Sequence, residues 1–506
     1  MAQHICAVDV GTRSARAAIF APDGRMLARE ARSFDVSEQA GGVAEYRFET
    51  LWQAACDAVR AALETAGTAA KDIAGLAFDA TCSLVLPVPL GPDGRDTIAW
   101  YDHRAAVEAA EITATGHDLI RHLGGSMSPE MQTAKLLWVK RHRPDLWPQA
   151  RGARDLVDAL TGRACGSVSA SASVLATKWP YLPDAGGWQT DLLARIGLDD
   201  LALPETVLQP GSCAGRLTEA AAAQMGLTPG LRVGTGMVDA YAGALGASTG
   251  APDGLCLIAG TSNCVMALSD RPTAIPGIWG PFRDAVLPGL WASEGGQSAA
   301  GAALDFVIDS WPGREAAPRP DHPTILHRIA ALRADQGESF ARGLHVLPDF
   351  NGNRSPLADP LARGVIHGLP LDRSFDALCA LYWRTAVGIA LGTRQILSHM
   401  GVAPGRALTM GGGMALSDQM TQLFADATGH VIVRQTNTDA VLRGTAMVAA
   451  VASGLATDLA QAGQQFADKT DTFAPQPEAQ ARMTRDYAIF EALQEQRRSL
   501  HILDGT

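Results

Sequence analysis

Short apolar runs broken by polar turns open the chain. His4-Ile-Cys-Ala-Val-Asp-Val10 is β-prone, Gly11-Thr-Arg-Ser14 interrupts it, and Ala15-Arg-Ala-Ala-Ile-Phe20 resumes the apolar pattern, which predicts a hairpin. Pro22-Asp-Gly24 turns the chain again, and Met26 to Phe34 suits a third strand. Over residues 50–66, Leu51, Ala54, Ala55, Ala58, Val59, Ala62 and Leu63 recur at three- and four-residue spacing, which predicts an amphipathic helix. Ile73-Ala-Gly-Leu-Ala-Phe78 is then a short apolar strand ending at Asp79. A meander, a helix and a strand with a polar tip make a mixed α/β domain.

A second hairpin of the same kind starts near residue 254, where Gly254-Leu-Cys-Leu-Ile-Ala-Gly-Thr-Ser262 leads into Asn263-Cys-Val-Met-Ala-Leu268. Both bends place Gly-Thr with a serine close behind it between two apolar strands. One reading is an internal repeat whose two like-built halves face each other across a cleft; the other is coincidence of common hairpin chemistry. Helical stretches follow at 297–309 and 374–400. A strand, Ala407-Leu-Thr-Met410, then enters Gly411-Gly-Gly413, and Ala415 to Thr428 again has helical spacing. Strand, glycine turn and helix suit phosphate or nucleotide binding, although a lone glycine triplet is as easily a tight connection. Residues 311–345 read as a proline-bearing loop and a helix, and Glu478 to Leu500 as a polar helix.

Composition narrows the class. With 506 residues the chain holds two to four domains at about 150 residues each, and 47% hydrophobic against 19% charged residues is globular. No run of about 18 apolar residues predicts a membrane span, and no basic N-terminal segment predicts export. The formal charge of −11 argues against nucleic acid as a partner. Eight scattered cysteines without a CxxC fit reduced thiols and a cytoplasmic location.

Familiar catalytic motifs are absent. None of the five lysines follows a glycine, so there is no Walker A loop; HExxH and a strand-following GxGxxG are also missing. Gly296-Gln-Ser298-Ala-Ala300 lacks the closing glycine of a nucleophile elbow. Asp9-Val-Gly11-Thr12 is a positive signal: an acid at a strand end can hold a hydrated metal while the turn's N–H groups approach a phosphate, or it can simply bond its own turn. Asp239 ends an apolar strand before a helix with small residues Ala240, Gly243, Ala244 and Ala247, as a helix cap or as a carboxylate aimed at a ligand. Asp79-Ala-Thr-Cys82-Ser83 and Asp102-His-Arg104 offer polar groups after apolar segments, suited to a sugar or to an ordinary loop. Lys178, flanked by Trp179 and Tyr181, is a ligand contact or a cation–π lysine. Glu294 in Ser293-Glu-Gly-Gly-Gln297 is a capping acid or a hydroxyl ligand. Asp349-Phe-Asn-Gly-Asn-Arg-Ser-Pro356 is a polar turn.

In this order and at these separations the segments resemble the FGGY carbohydrate kinases, over residues 4–455. Asp9-Val-Gly-Thr12 resembles the first phosphate motif, Ala259-Gly-Thr-Ser262 the second, Met410-Gly-Gly-Gly413 the adenosine motif, and Gly236-Met-Val-Asp239-Ala240 the segment with the catalytic aspartate. Phe78-Asp-Ala-Thr-Cys-Ser83, Tyr101-Asp-His-Arg-Ala105, Thr177-Lys-Trp-Pro-Tyr181 and Ser293-Glu-Gly-Gly-Gln-Ser298 resemble the ribulokinase-type branch. Thr177 and Asn351 depart from that branch's usual Cys-Lys-Trp and His-Gly-Asn-Arg.

The resemblance implies two actin-like, ribonuclease H-like α/β ATPase domains with a cleft between them: residues 1–248, residues 249–460, and a helical tail at 461–506. It implies ATP-dependent phosphorylation of the terminal hydroxyl of a ketopentose, with Asp239 as general base. Cys82, Asp102, Arg104, Lys178, Asp239 and Glu294 are then the sugar-side residues. Asp9, Gly11, Thr12, Gly260, Thr261, Ser262, Gln297, Gly411, Gly412 and Gly413 serve the nucleotide, and Asp9 and Asp239 serve Mg2+. Xylulose, erythritol, glycerol or a non-catalytic ATP-binding sensor are the competing readings. Sugar and ATP are the expected partners, and a homodimer stays open.

Overall fold

The opening apolar runs form the strands His4–Val10, Ser14–Phe20 and Met26–Ser33, an antiparallel meander. On the far side of His4–Val10 the strand Ile73–Ala80 runs parallel to it. Arg232–Gly234 and Met237–Val238 pair in parallel with successive parts of Ile73–Ala80. Strands covered on both faces read as continuous apolar runs, and Ile5 through Val10 are accordingly buried throughout. The parallel register sets Asp9 beside Asp79. Paired residues of neighbouring strands project from the same face, so two carboxyl groups meet at the strands' C-terminal ends.

The computed structural model describes residues 3–248, 250–311, 318–435, 439–467 and 469–504. The chain divides into two compact units, one of Met1–Gly254, Met266–Ser293 and Thr436–Lys469, the other of Leu255–Val265, Glu294–Gln435 and Thr470–Thr506. In the first unit the helix Phe48–Ala66 lays Leu51, Trp52, Ala55, Val59 and Ala62 onto the meander and stops at Gly67, in the left-handed conformation at φ 60°. The helix Ala440–Ser453 packs on His4–Val10, on Ile73–Ala80 and on the helix Asp239–Ser248. The expected small-residue face of the latter was Ala240, Gly243, Ala244 and Ala247. The close approach to Ala440–Ser453 also involves Ala242 and Gly246: a Cβ on Gly246 would overlap the Ala440 carbonyl, and one on Gly444 would overlap that of Ala242. The partner helix, which comes from far along the chain, selects the face, and helix spacing alone does not encode it.

The second unit repeats the hairpin opening. Leu255–Ala259 pairs in parallel with Ala407–Gly411, which pairs in parallel with Val431–Gln435; Thr470–Phe473 closes this edge antiparallel. The helix Phe375–His399, capped by Ser374 accepting from Ala377 N at 3.2 Å, is buried around most of its girth. It packs against the helices Gly301–Ser310, His322–Gln336, Asp418–Thr428 and Pro477–Asp504. The expected helix over 297–309 is corrected: Trp291–Gln297 is a strand, and the helix begins at Gly301. The helix expected from Ala415 begins at Asp418, because Gly413–Leu416 forms a tighter turn and Ser417 caps the helix Asp418–Thr428. In the 311–345 stretch, Asp321 caps the helix by accepting from Thr324 N at 2.9 Å, while residues 312–317 lie outside the described residues. Among the described residues no helix is long and apolar enough to cross a membrane, and the eight cysteines are free.

Candidate active site

Four carboxyl groups and one guanidinium converge in the first unit. Asp9 and Asp79 are fully buried, Arg16 forms an ion pair with Asp9, and Thr445 Oγ1 donates to Asp79 Oδ2 at 2.5 Å. Asp439 caps the helix Ala440–Ser453 and lies 3.7 Å from Arg16 Nη1 and 3.4 Å from Arg29 Nε. Asp239 starts its own helix, with Oδ1 accepting from Ala240 N at 2.7 Å. Burial pushes the Asp9 carboxyl up to about 7, opposed by Arg16 and reinforced by Asp439 and Asp239. Burial, then the Asp9 charge, holds Asp79 well above the ordinary carboxylate range. Asp239 differs from the sealed pair Asp9 and Asp79 in being only half-buried, as Asp439 is, and Asp439 is engaged by Arg16 and Arg29.

A second polar group lies close by in the same unit. Cys82 is buried, its thiol raised by burial and by the Asp155 and Asp239 charges, and its carbonyl accepts from Gln132 Nε2 at 3.0 Å. Gln132 Nε2 also donates to Asp155 Oδ2 at 2.7 Å, and burial pushes Asp155 up to about 7. Lys135 is fully buried and donates to the carbonyls of Ala99 and Trp100 at 2.9 and 3.0 Å, with its pKa lowered by burial to about 8. Lys178 Nζ stands 4.5 Å from the centre of the Trp279 ring. The aromatic partner is therefore a distant tryptophan, not the flanking Trp179 or Tyr181. Asp102 and Arg104 form a buried pair: Asp102 accepts from Ala44 N at 2.7 Å and from Arg104 Nε and Nη2 at 2.9 and 2.7 Å, and Arg104 also reaches Glu45 at 2.7 Å. Thr12 receives Trp100 Nε1 on its hydroxyl at 3.1 Å and the Tyr46 hydroxyl on its carbonyl at 2.9 Å. At the same bend, Gly11 N donates to Ser14 O at 3.0 Å.

The second unit is built from backbone and hydroxyls. Gly260 N donates to Ser262 O at 3.0 Å, and the N–H groups of Ala300, Gly301 and Ala302 donate to the carbonyls of Gly260 and Thr261 at 2.9–3.1 Å. The hairpin bend is thereby tied to the start of the helix Gly301–Ser310, with Thr261 exposed and Ser262 partly so. Gly412 has φ 92°, and a Cβ there would overlap the backbone of Ala259; Gly413 faces open space, and Leu416 just beyond is 87% exposed. Gln297 commits its Oε1 to Asn263 Nδ2 at 3.1 Å and Thr393 Oγ1 at 3.2 Å. Glu294 is buried and lies 3.2 Å from Arg354. Arg354 lies flat where a Cβ on Gly296 would be, which explains why glycine precedes Gln297.

Sequence reasoning missed Arg16, Lys135, Asp155 and Asp439, and did not set Asp79 beside Asp9. Only Asp439 carried a local signal, an aspartate just ahead of an apolar-periodic run.

The arrangement defines a class: an α/β protein with an accessible carboxylate beside a buried acid pair in one unit, and glycine turns suited to polyphosphate in the other. The N-terminal domain of the FGGY family of carbohydrate kinases matches residues 4–246, and its C-terminal domain matches residues 255–453. The chain is similar to an FGGY carbohydrate kinase domain-containing protein of Danio rerio, 37% identical over 96% of each chain. It is also similar to a D-ribulokinase of Saccharomyces cerevisiae, 32% identical over 89% of this chain and 72% of that one. Among solved structures, a gluconate kinase from Lactobacillus acidophilus shares the fold at TM-score 0.83 and 20% identity, covering 97% of this chain and 98% of the other. A xylulose kinase from Rhodospirillum rubrum does so at 0.81 and 24%, covering 98% and 99%. The chain belongs to the FGGY family of carbohydrate kinases. It is a sugar kinase with the two-domain, actin-like ATPase fold, and sugar kinases of this family use ATP.

Proposed function

We propose that the enzyme transfers the γ-phosphoryl group of ATP to the terminal hydroxyl of a ketopentose, D-ribulose first and L-ribulose second. The observation that carries the chemistry is Asp239, half-buried at a helix N-terminus beside the sealed pair Asp9 and Asp79. A base must reach its proton, and of these three only Asp239 has solvent access. Asp239 takes the proton of the sugar hydroxyl as its oxygen bonds to the γ-phosphorus and the bond to the β–γ bridging oxygen breaks, releasing ADP. The D-ribulokinase similarity supports the pentose, as do bacterial ribulokinases at 26–28% identity.

Lys178 and Cys82 face the sugar in this reading, and Asp102 and Arg104 shape the wall behind them. Glu294 takes a further hydroxyl by the family resemblance. Thr12 with the Gly11 turn, Thr261 and Ser262 with Gly260, and the Gly411–Gly413 turn hold the nucleotide, together with Gln297 at the end of the strand Trp291–Gln297. Asp9 Oδ1 and Asp79 Oδ1 are buried without a hydrogen-bond partner by geometry among the described residues, although the two carboxyl groups are close enough to interact. Such orphaned oxygens fit a hydrated Mg2+. In this reading Asp9 holds the ion through water and Asp239 serves it as well. When bound, Mg2+ spreads the charge that develops on the transferring phosphate. The free cysteines fit a reducing cytoplasm.

The test is ADP release at fixed Mg-ATP over D-ribulose, L-ribulose, D-xylulose, L-xylulose, erythritol and glycerol. The reading predicts the highest kcat/KM for a ribulose. A preference for a polyol or xylulose would replace the substrate, and ATP binding without sugar-stimulated turnover would replace the activity.

A further inference from the structure

Along the side of the helix Asp418–Thr428, the second unit holds a cavity of about 950 Å3. Its lining is strongly basic in a chain whose formal charge is −11: Arg333, Arg342, Arg384, Arg482 and Arg485 all border it. Two of the three bordering acids are already paired with arginines. Asp486 pairs with Arg384 at 2.7 Å, and Asp418 pairs at 2.7 Å with Arg434, which lies outside the lining. Asp426 accepts from Gln422 Nε2 at 2.9 Å and from Gln476 N at 2.8 Å. Among the described residues, Arg333, Arg342 and Arg485 have no carboxylate within ion-pair distance. Positive charge therefore exceeds what the walls neutralise.

One of the arginines is also held in a fixed orientation. Arg333 stacks over the Trp383 ring, Cζ to ring centre 4.3 Å, which fixes the plane of its guanidinium. Burial, and then the neighbouring Arg482, lower the pKa of Arg333, and the Asp426 carboxylate opposes them. Phe340 and Phe473 add apolar surface to the same cavity. The volume suits a small molecule, since ligand cavities run to roughly 300–1,000 Å3.

We propose that this cavity is a second ligand site, for a small organic phosphate. Guanidinium forks match phosphate oxygens in pairs, and the aromatic side chains take the organic part. Gly411 to Gly413 are absent from its lining, so it is distinct from the glycine turn assigned to the nucleotide. The inference does not depend on which sugar the enzyme phosphorylates.

Calorimetric titration of the full-length enzyme with D-ribose 5-phosphate, at saturating Mg-ADP, tests it. The wild type and Asp239→Asn are expected to bind alike, whereas Arg333→Glu and Arg485→Glu each weaken binding by about tenfold or more and keep wild-type kinase turnover. Arg485 is exposed, so its variant serves even where Arg333→Glu fails to fold. Affinity should fall with added salt. Absence of binding, or binding indifferent to either arginine variant that folds, would overturn the site. Inorganic phosphate binding as tightly as D-ribose 5-phosphate would overturn the organic half of the proposal.

Discussion

The bends Gly11–Ser14 and Gly260–Ser262 share a backbone device and differ in chemistry. In each, a glycine N–H donates to a serine carbonyl across the bend at 3.0 Å, after a buried strand that pairs in parallel with a later one. The first strand carries Asp9 near its end, among Arg16, Asp79, Asp239 and Asp439. The second ends at Ala259, against which Gly412 closes without a side chain. One bend is governed by charge and burial, the other by shape. A proton acceptor needs a tuned carboxylate, whereas a polyphosphate is held by many weak backbone and hydroxyl contacts. Substitutions of the first unit's accessible carboxylate Asp239 should therefore act on turnover, and those at the Gly411–Gly413 turn on nucleotide affinity.

The largest expected effect is at Asp239. Asp239→Asn keeps the shape but removes the base, and turnover should fall by about 10²–10⁴ while sugar and nucleotide dissociation constants, measured by calorimetry, stay within a few-fold. Next is Gly412→Ala. Its methyl would meet the Ala259 backbone at φ 92° and ψ 178°, a conformation essentially confined to glycine and costing other residues on the order of 1–3 kcal/mol, so the KM for ATP should rise on the order of tenfold; an unchanged KM would remove this turn from the nucleotide site. Lys178→Ala should raise the sugar KM by several-fold more than the ATP KM, and equal changes in both would displace Lys178 from the sugar side.

The smallest effect is on stability. Burial raises the Asp155 carboxyl to about 7, so between an unfolded value of 3.8 and that pH the folded protein holds a proton the unfolded chain has lost. This group's stabilisation is therefore complete below pH 3.8 and disappears as pH rises towards 7. Asp155→Asn should narrow the drop in Tm between about pH 5 and about pH 8 in thermal denaturation. A drop as large as in the wild type would mean that Asp155 ionises normally.

Much of this was legible in the chain. Both hairpins, the helices Phe48–Ala66 and Phe375–His399, and the strand-end position of Asp9 follow from apolar spacing and turn residues. The features that were not legible depend on partners remote in sequence. Asp79 meets Asp9 through parallel register, which no local pattern encodes. Lys135 lies in a helix where a lysine reads as solvated, and its burial against the carbonyls of Ala99 and Trp100 comes only with tertiary packing. Gly295 and Gly296 lie in the strand Trp291–Gln297, and the glycine at 296 answers to Arg354, a residue remote in sequence that occupies the space a Cβ there would take.

The most direct measurement is a side-by-side determination of kcat and both KM values for Asp239→Asn and Gly412→Ala. The account predicts that the first loses kcat with both KM values nearly unchanged, and that the second raises the KM for ATP with kcat kept within a few-fold. Near wild-type kcat for Asp239→Asn, or the same loss of kcat in both variants, would contradict the division between a charged unit that performs the chemistry and a neutral turn that holds the nucleotide.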